Sequence, residues 1–375
     1  MLMKSTVSVV ALLASLAGPA MAENLRPDAL APLDPPPAPA DNPTTAAKVA
    51  LGAKLFFDPK VSGNNGMPCS ACHLPEAGWA IQDPISFGYP GTTHWRNSQT
   101  IVNSAYYGKL FWAGASKSLE GQARSAARGA VAGNGEDDLM EARLAFVPEY
   151  RKAFREIFGD EYPLIRNAYR AMAAFQRTLV QTDTPFDNYM RGDDDALSEQ
   201  QKRGLEVFAG KGNCITCHNG PLLSDEAYYN IGVPPSPIWE EDPLAQITFR
   251  FELYAKGSTE EMYRHTKDDP GLYFRTKQKA DKGKFRTPSL RYTKYTYPFM
   301  HNGTIETLAD VVEFYDRGGD TNEFAANKSK LIQPLGLTSG EKEDLVAFLE
   351  SLSGPEILME EPDIPEIAPL PVAQQ

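Results

Sequence analysis

One short motif occurs twice in this chain and uses all four of its cysteines. The copies are Cys69-Ser70-Ala71-Cys72-His73 and Cys214-Ile215-Thr216-Cys217-His218. The spacing C-x-x-C-H is typical of c-type haem attachment, in which each thiol forms a thioether with a haem vinyl group and the adjacent histidine ligates the iron. The duplication therefore predicts two covalently bound c-type haems, with His73 and His218 as axial ligands.

Three other interpretations of the cysteines fit less well. A structural zinc site typically brings its second Cys pair within about 15–20 residues of the first, and these pairs lie much farther apart. A thioredoxin-like redox pair needs a βαβ context, which the sequence lacks. Two disulfides would suit an exported protein, but they would leave the two matched histidines unexplained.

Length and charge limit the classes of partner. A chain of 375 residues is long enough for two domains. Its net charge of −12 argues against nucleic acid and favours long-range attraction to a basic protein, such as a small cationic electron donor.

The N-terminus predicts a secretory signal. Lys4 supplies the positive charge, residues 7–16 form a short apolar core, and Ala20-Met21-Ala22 is a small-residue cleavage site. We expect cleavage after Ala22 and export to the periplasm, where c-type haem is attached. The apolar core is too short to cross a bilayer, and no other stretch is apolar enough, so we expect no membrane span.

The patterns predict a mainly α protein, with two cytochrome c-like haem domains and long irregular loops. Apolar periodicity and capping boxes predict helices near residues 45–57, 136–158, 163–180, 198–208, 307–315 and 338–352. A similar apolar run precedes each haem motif, which indicates an internal repeat. Residues 219–285 are expected to be irregular.

The expected organisation has five segments, from a signal peptide to a disordered tail. They are a signal peptide (1–22), a Pro-rich linker (23–43), an N-terminal haem domain (44–185), a C-terminal haem domain (186–353) and a disordered tail (354–375).

Several ordered motifs resemble one protein family. They are the LGxxLFxDP-type segment at 51–59, the two haem motifs, Asn230-Ile231-Gly232, FxxPSLR at 285–291 and YPxMHNG at 297–303. With these the chain resembles the bacterial di-haem cytochrome c peroxidases, and in particular their MauG-like branch. The resemblance implies an oxidoreductase in which peroxide reacts at the N-terminal haem and the C-terminal haem stores or relays the electron.

The resemblance also implies a second axial ligand for the C-terminal haem. That ligand is a Met in the peroxidases proper and a Tyr in the MauG-like enzymes, and counting from His301 places it at Tyr315. A thioether favours ferrous iron, whereas a phenolate stabilises high-valent iron. Met300 is the rival ligand, and packing in the core is the alternative role for Tyr315.

The pocket of the first haem matches the family in part. Trp112 matches the Trp that couples the two haems in a charge-shared bis-Fe(IV) state, although a buried packing role is also open, and Gln122 matches a distal Gln. The family's distal Pro and acid/base Glu fall on Ala126 and Ala132, and a small gap could let Glu136 replace that Glu. A lost acid/base would weaken O–O cleavage, since such a group contributes typically 10²–10⁴-fold.

Two further family features have counterparts here. Where the classical peroxidases place a second His ligand of the first haem, this chain has Tyr89, with His94 offset nearby. The family's interdomain calcium implies one calcium ion, with the side chain of Asn97 and backbone carbonyls near Thr276 and Gln278 as oxygen donors. An ordinary loop role for Asn97 is the alternative.

Together these features predict a periplasmic di-haem oxidase that uses hydrogen peroxide to oxidise a protein through high-valent haem iron. The partner would be a small cytochrome, a cupredoxin or a protein whose side chain becomes modified. A conventional peroxidase that detoxifies peroxide, and a non-enzymatic electron carrier, are the alternatives.

Overall fold

The protein is mainly helical, as predicted. A computed structural model describes residues 25–89 and 91–367, so the predicted signal peptide (1–22) lies outside the described residues. The α-helices are α1 Ala46–Phe57, α2 Leu119–Arg128, α3 Asp137–Ala145, α4 Pro148–Phe158, α5 Ile165–Gln176, α6 Pro185–Met190, α7 Glu199–Ala209, α8 Ile238–Glu241, α9 Pro243–Ala255, α10 Glu260–His265, α11 Tyr273–Thr276, α12 Leu308–Asp316 and α13 Ser339–Ser351.

Strands are short and form two antiparallel pairs in the described part of the chain. β1 (Phe87–Gly88) pairs with β2 (Thr92–Thr93), and β3 (Tyr228–Tyr229) pairs with β4 (Phe285–Arg286). The pair β3–β4 joins the segment after the second haem motif to the FxxPSLR motif. No helix in the described ranges combines the length and the apolar character needed to span a bilayer.

Each haem motif follows a helix that crosses a second helix at a glycine. In the first half α1 crosses α5, and a Cβ on Gly52 would collide with the backbone carbonyl of Ala171. In the second half α7 crosses α13, and a Cβ on Gly204 would collide with the carbonyl of Asp344. The same close helix approach therefore supports both cysteine motifs, in agreement with an internal repeat.

The chain after each motif also repeats its backbone geometry. Asn103 and Tyr292 both have positive φ (60° and 68°), as do Phe111 and Met300 (65° and 74°). In both pairs the second residue follows the first by the same number of residues. The same number separates Ser118, the N-cap of α2, from Thr307, the N-cap of α12.

The structure differs from the predicted elements in several places, and α2 and α6 are helices that the patterns did not predict. The single helix expected over residues 136–158 is two helices, because Pro148 lacks the N–H that would continue α3 and instead begins α4. Residues 219–285 were expected to be irregular, yet they contain α8 to α11. Helix α9 was not predicted because apolar residues occupy both of its faces, which removes the amphipathic pattern. Phe249 and Leu253 are buried, whereas Ile247 and Tyr254 are exposed.

The two terminal segments are ordered where the structure describes them, in contrast to the predicted linker (23–43) and disordered tail (354–375). Leu30 and Leu33 are buried, and the Leu33 N–H donates to Asp187 Oδ1 in the second half (3.0 Å). The C-terminal segment lies on the first half, where Trp79 Nε1 donates to Ile357 O (2.7 Å). Each end of the chain thus covers the opposite half, and residues 368–375 lie outside the described part.

A buried ion pair explains the arginine of the FxxPSLR motif. Arg291 Nη1 donates to the Asp187 carboxylate at 2.9 Å, and both side chains are inaccessible to solvent. Its other nitrogens donate to backbone carbonyls of Pro221 and Ala31. Arg291 therefore joins α6, the loop after His218 and the N-terminal segment. Val102 stands at its repeat-related position in the first half.

Candidate functional site

Both C-x-x-C-H motifs adopt the same tight turn. Residues Cys69–Ala71 and Cys214–Thr216 form 3₁₀ turns, closed by hydrogen bonds from Cys72 N to Cys69 O and from Cys217 N to Cys214 O (both 3.2 Å). The turn brings two thiols and one imidazole to the same side of the backbone. All four thiols are free, as thioether formation requires. The alternative of two disulfides would need them to be paired.

The two histidines are held in the same way. His73 Nδ1 lies 3.2 Å from Trp79 O, and His218 Nδ1 lies 3.0 Å from Leu223 O. A hydrogen bond from Nδ1 to a carbonyl fixes the tautomer that leaves Nε2 free to ligate a metal. Burial lowers the pKa of both imidazoles and so favours their neutral, ligating form.

A large cavity adjoins the first motif and a smaller one adjoins the second. The first has a volume of about 790 Å³ and is lined by Cys69, Cys72 and His73; the second, of about 140 Å³, is lined by Cys214 and Cys217. Mainly apolar walls and the size of the first cavity suit a bulky cofactor, whereas the second cavity is smaller than the roughly 300 Å³ at which ligand pockets begin. His218 and Tyr315 line both cavities, so the two spaces adjoin at the second motif.

These residues fit haem better than zinc. Thiols, an oriented imidazole and a deep apolar cavity occur together at each motif. Among the described residues, no three His, Cys, Asp or Glu side chains gather where they could hold a metal ion.

Helices α2 and α12, which are equivalent in the two halves, carry different side chains at equivalent positions. Tyr315 of α12 stands where α2 has Ala126, eight residues after the respective N-caps Thr307 and Ser118. Tyr315 borders the second cavity, and Ala126 borders the first. The repeated scaffold therefore presents a phenol at one site and a methyl group at the other.

A Trp–His contact links the two halves. The Trp112 ring lies edge-to-face on His301, with centroids 6.4 Å apart, and its Nε1 donates to Asn97 O (2.8 Å). His301 stacks on Phe285 at 3.7 Å. Trp112 lines the first cavity and His301 the second, so aromatic rings bridge the wall between them.

Matched hydrogen bonds hold this bridge in place. Asn97 N–H donates to His301 O and Arg286 N–H donates to Trp112 O, both at 2.8 Å. The internal repeat relates the two bonds, since Asn97 corresponds to Arg286 and Trp112 corresponds to His301. The junction of the halves is thus itself symmetric in its backbone, while Trp112 and His301 occupy equivalent positions with different rings.

A family model described as "Di-haem cytochrome c peroxidase" matches residues 46–195. The chain is 57% identical to the cytochrome-c peroxidase IdrP1 of Denitromonas iodatirespirans, over 90% of this chain and 89% of that protein. The chain belongs to the di-haem cytochrome c peroxidase family. It is an oxidoreductase of the di-haem peroxidase type, and its cofactors are haems.

Relatives on the MauG side are similar over most of their length. The methylamine utilization protein MauG of Methylophilus methylotrophus is 32% identical, over 91% of both chains. A crystal structure of a MauG-like protein associated with microbial copper homeostasis superposes with a TM-score of 0.71, at 30% identity, over 88% of this chain and 94% of that one. The two-domain haem fold expected from the motifs thus matches solved relatives.

The structure brings most of the predicted distal residues of this di-haem peroxidase to the first cavity. Gln122, Ala126 and Ala132 all line it. Glu136 does not: its side chain is 71% exposed and pairs with Arg128 at 3.4 Å. The sequence suggestion that a small gap could place Glu136 in the pocket is therefore corrected.

His94 and Tyr89, which the sequence places near the position of a second His ligand, differ in their relation to this cavity. His94 lines the cavity, whereas Tyr89 is not among the described lining residues and uses its backbone N–H to bond Ala132 O (3.0 Å). His94 Nδ1 accepts from Arg96 N–H at 3.1 Å, so its proton is on Nε2. In that tautomer His94 donates a hydrogen bond and has no free lone pair for iron.

The proposed calcium ligands remain a prediction. Asn97 is buried and its Nδ2 donates to Asp83 O (3.1 Å), whereas the side chains of Thr276 and Gln278 are exposed. The backbone carbonyls of the last two would be the donors.

Sequence reasoning missed His301 and Glu252 as cavity residues. His301 stood inside the YPxMHNG motif but was used only as a counting point. Glu252 lies on α9, in the segment expected to be irregular, so nothing in the sequence linked it to a haem.

Proposed function

We propose that this protein is a periplasmic di-haem oxidase that takes oxidising equivalents from hydrogen peroxide and passes them to a protein partner. Cys69, Cys72, Cys214 and Cys217 would attach the two haems. The haems would supply the redox chemistry when bound. The periplasmic location rests on the predicted signal peptide and on the compartment in which c-type haem is attached.

The observation that carries this proposal is the different distal residue on a repeated scaffold. Ala126 lines the first cavity together with His73 and would leave room there for peroxide. Tyr315 lines the second cavity together with His218, and its phenol would serve as a second ligand of the haem bound there. A phenolate is a hard, anionic ligand and favours oxidised iron.

Trp112 would let the two sites share charge. Its ring contacts His301 across the wall between the cavities, which shortens the gap that an electron must cross. Gln122 would orient peroxide by a hydrogen bond in the first cavity. Met300, the rival ligand, also lines both cavities, so the choice between it and Tyr315 rests on the family resemblance and on the repeat position of Tyr315.

The acidic chain favours a cationic partner. A net charge of −12 would attract a small basic cytochrome or cupredoxin and raise the association rate at low ionic strength. A calcium ion held by Asn97 and the carbonyls near Thr276 and Gln278 would sit beside Trp112, because Trp112 donates to the carbonyl of Asn97.

Addition of peroxide to the fully oxidised di-haem protein tests the function. The proposal expects a spectral change that persists for minutes without any donor and decays when a partner protein is oxidised. Reaction only after one haem is reduced by a donor cytochrome would support the conventional peroxidase instead. No spectral change in either state would support a non-enzymatic electron carrier.

A further inference from the structure

One wall of the first cavity comes from the other half of the chain. Between His218 and β4 the second half contains α8 to α11, whereas the equivalent stretch after His73 holds the short β1–β2 pair. Helix α9 packs on β2, where the Thr93 hydroxyl donates to its N-cap residue Asp242 (2.6 Å). From there α9 contributes Glu252 to the lining of the His73 cavity.

Glu252 is the only carboxylate among the described residues that line this cavity. It is 4% exposed, and its Oε2 has no hydrogen-bond partner. Lys256 Nζ forms an ion pair with Oε2 at 3.7 Å, beyond hydrogen-bond distance, and is itself half-exposed. A buried carboxylate oxygen without a hydrogen-bond partner is costly, so its retention beside a cavity points to a role there.

The helix fixes the direction of this carboxylate. Phe249 stacks on Trp239 with centroids 4.5 Å apart, and Leu253 is fully buried. These neighbours hold α9 on both sides of Glu252. Its side chain therefore has little freedom to leave the cavity.

The charged groups that face Glu252 come from three elements. Lys256 directly follows α9, Arg96 follows β2, and Asp269 precedes α11. Arg96 and Asp269 form their own buried pair, with Nη2 2.9 Å from Oδ1, so neither neutralises Glu252 fully. Burial raises the pKa of Glu252, and the nearby charges of Lys256 and Arg96 oppose that rise.

Other groups near the cavity cannot accept a proton as readily. His94 is a neutral donor through Nε2, because Arg96 N–H occupies its Nδ1. Glu136 is on the surface with Arg128. Gln122 has no titratable group.

We propose that Glu252 is the proton-transfer residue of the first haem cavity. The inference rests on the proposed function, since it needs peroxide to react there. Glu252 Oε2 takes the proton from the peroxide oxygen that faces the iron and returns it to the outer oxygen. The O–O bond would then break and the outer oxygen would leave as water with both protons, while the inner oxygen would stay at the haem, which would supply the two electrons when bound.

The test compares Glu252→Gln with two matched variants of the di-haem protein. Glu240→Gln makes the same change on α8, at a side chain that is 70% exposed, and serves as the control. Glu136→Gln changes the surface carboxylate that the sequence offered instead. Two rates are measured between pH 5 and 9: peroxide reaction, and cyanide association with the oxidised protein, in which HCN must give its proton to a base.

We expect Glu252→Gln to slow the peroxide reaction by about 10²–10⁴-fold, the usual contribution of a positioned acid/base. Cyanide association should slow at least about tenfold and lose its pH dependence, while the Glu240→Gln and Glu136→Gln proteins match the wild type. Glu252→Asp, which keeps a carboxylate, should recover part of both rates.

Unchanged rates in Glu252→Gln, or slowing in Glu136→Gln alone, would overturn the inference. If Glu252→Gln does not load haem, the wild-type cyanide profile decides: a flat profile across pH 5–9 is incompatible with a cavity base. A wild-type protein that does not react with peroxide would contradict the proposed function but not this inference. The rate of cyanide association depends on the cavity base and does not require peroxide chemistry.

Discussion

The two halves of this protein share a backbone plan and differ in the side chains that the plan presents. Gly52 and Gly204 let equivalent pairs of helices cross, one pair in each half. The turns at Phe111 and Met300 both have positive φ. At one equivalent position, however, the first half has Ala126 and the second has Tyr315. The comparison teaches that the duplicated scaffold specifies where a haem fits, while single substitutions specify what each haem can do.

A second difference lies in how each half is braced. The second half has the Arg291–Asp187 pair where the first half has Val102, and it has α8 to α11 where the first has β1–β2. The added segment reaches across and lines the cavity of the first half. The wall of the first cavity is therefore assembled from both halves.

Loss of the buried ion pair should have the largest effect on stability. Arg291→Met leaves Asp187 as a buried, unpaired charge and should lower the free energy of unfolding by about 3–5 kcal/mol, measured by urea denaturation. Arg203→Met breaks the pair with Asp344, in which Arg203 is 57% exposed, and should cost less than about 1 kcal/mol. Equal losses in the two variants would show that Arg291 does not brace the second half.

The glycine crossings should be nearly as sensitive. Gly52→Ala and Gly204→Ala each force a methyl group against a backbone carbonyl and should cost about 1–3 kcal/mol. Gly340→Ala in α13 meets no atom within 4 Å and should stabilise the protein by up to about 1 kcal/mol.

Calorimetry on the same glycine variants would sharpen the domain assignment. If residues 44–185 and 186–353 are separate domains, Gly52→Ala should lower one thermal transition and Gly204→Ala the other. A single transition shifted equally by both would show that the halves unfold together.

The smallest expected effect is a pH dependence in the segment that only the second half has. Burial raises the pKa of Asp268 to about 6, so the folded state binds a proton that the unfolded state releases. Stability from this group is present below about pH 4 and is lost as the pH rises to 6. Asp268→Asn should therefore gain about 1–2 kcal/mol at pH 8, after allowance for solvent screening, and gain nothing at pH 4. A gain that is the same at both pH values would contradict this assignment.

The sequence predicted the parts of this structure that depend on local chemistry. Both copies of C-x-x-C-H form the same turn, and the capping boxes at Ser198 and Thr338 begin α7 and α13 as expected. The repeat was visible because the helix before each motif has the same apolar pattern.

What the sequence did not predict depends on distant contacts. Leu33 and Ile357 lie in Pro-rich segments that look disordered by composition, and they are ordered by bonds to Asp187 and Trp79, far away in the chain. Glu252 lines the first cavity only because α9 folds back across the molecule. No local pattern reports such a contact.

The identity of the second axial ligand tests the comparison most directly. Electron paramagnetic resonance of the oxidised di-haem protein should show one high-spin ferric centre, at His73, and one low-spin centre, at His218. Tyr315→Phe should remove only the low-spin signal. Tyr315→Met should raise the reduction potential of that centre by on the order of 0.1–0.3 V, within the roughly 0.8 V that axial ligands span. A low-spin signal that survives Tyr315→Phe and disappears in Met300→Leu would contradict the account.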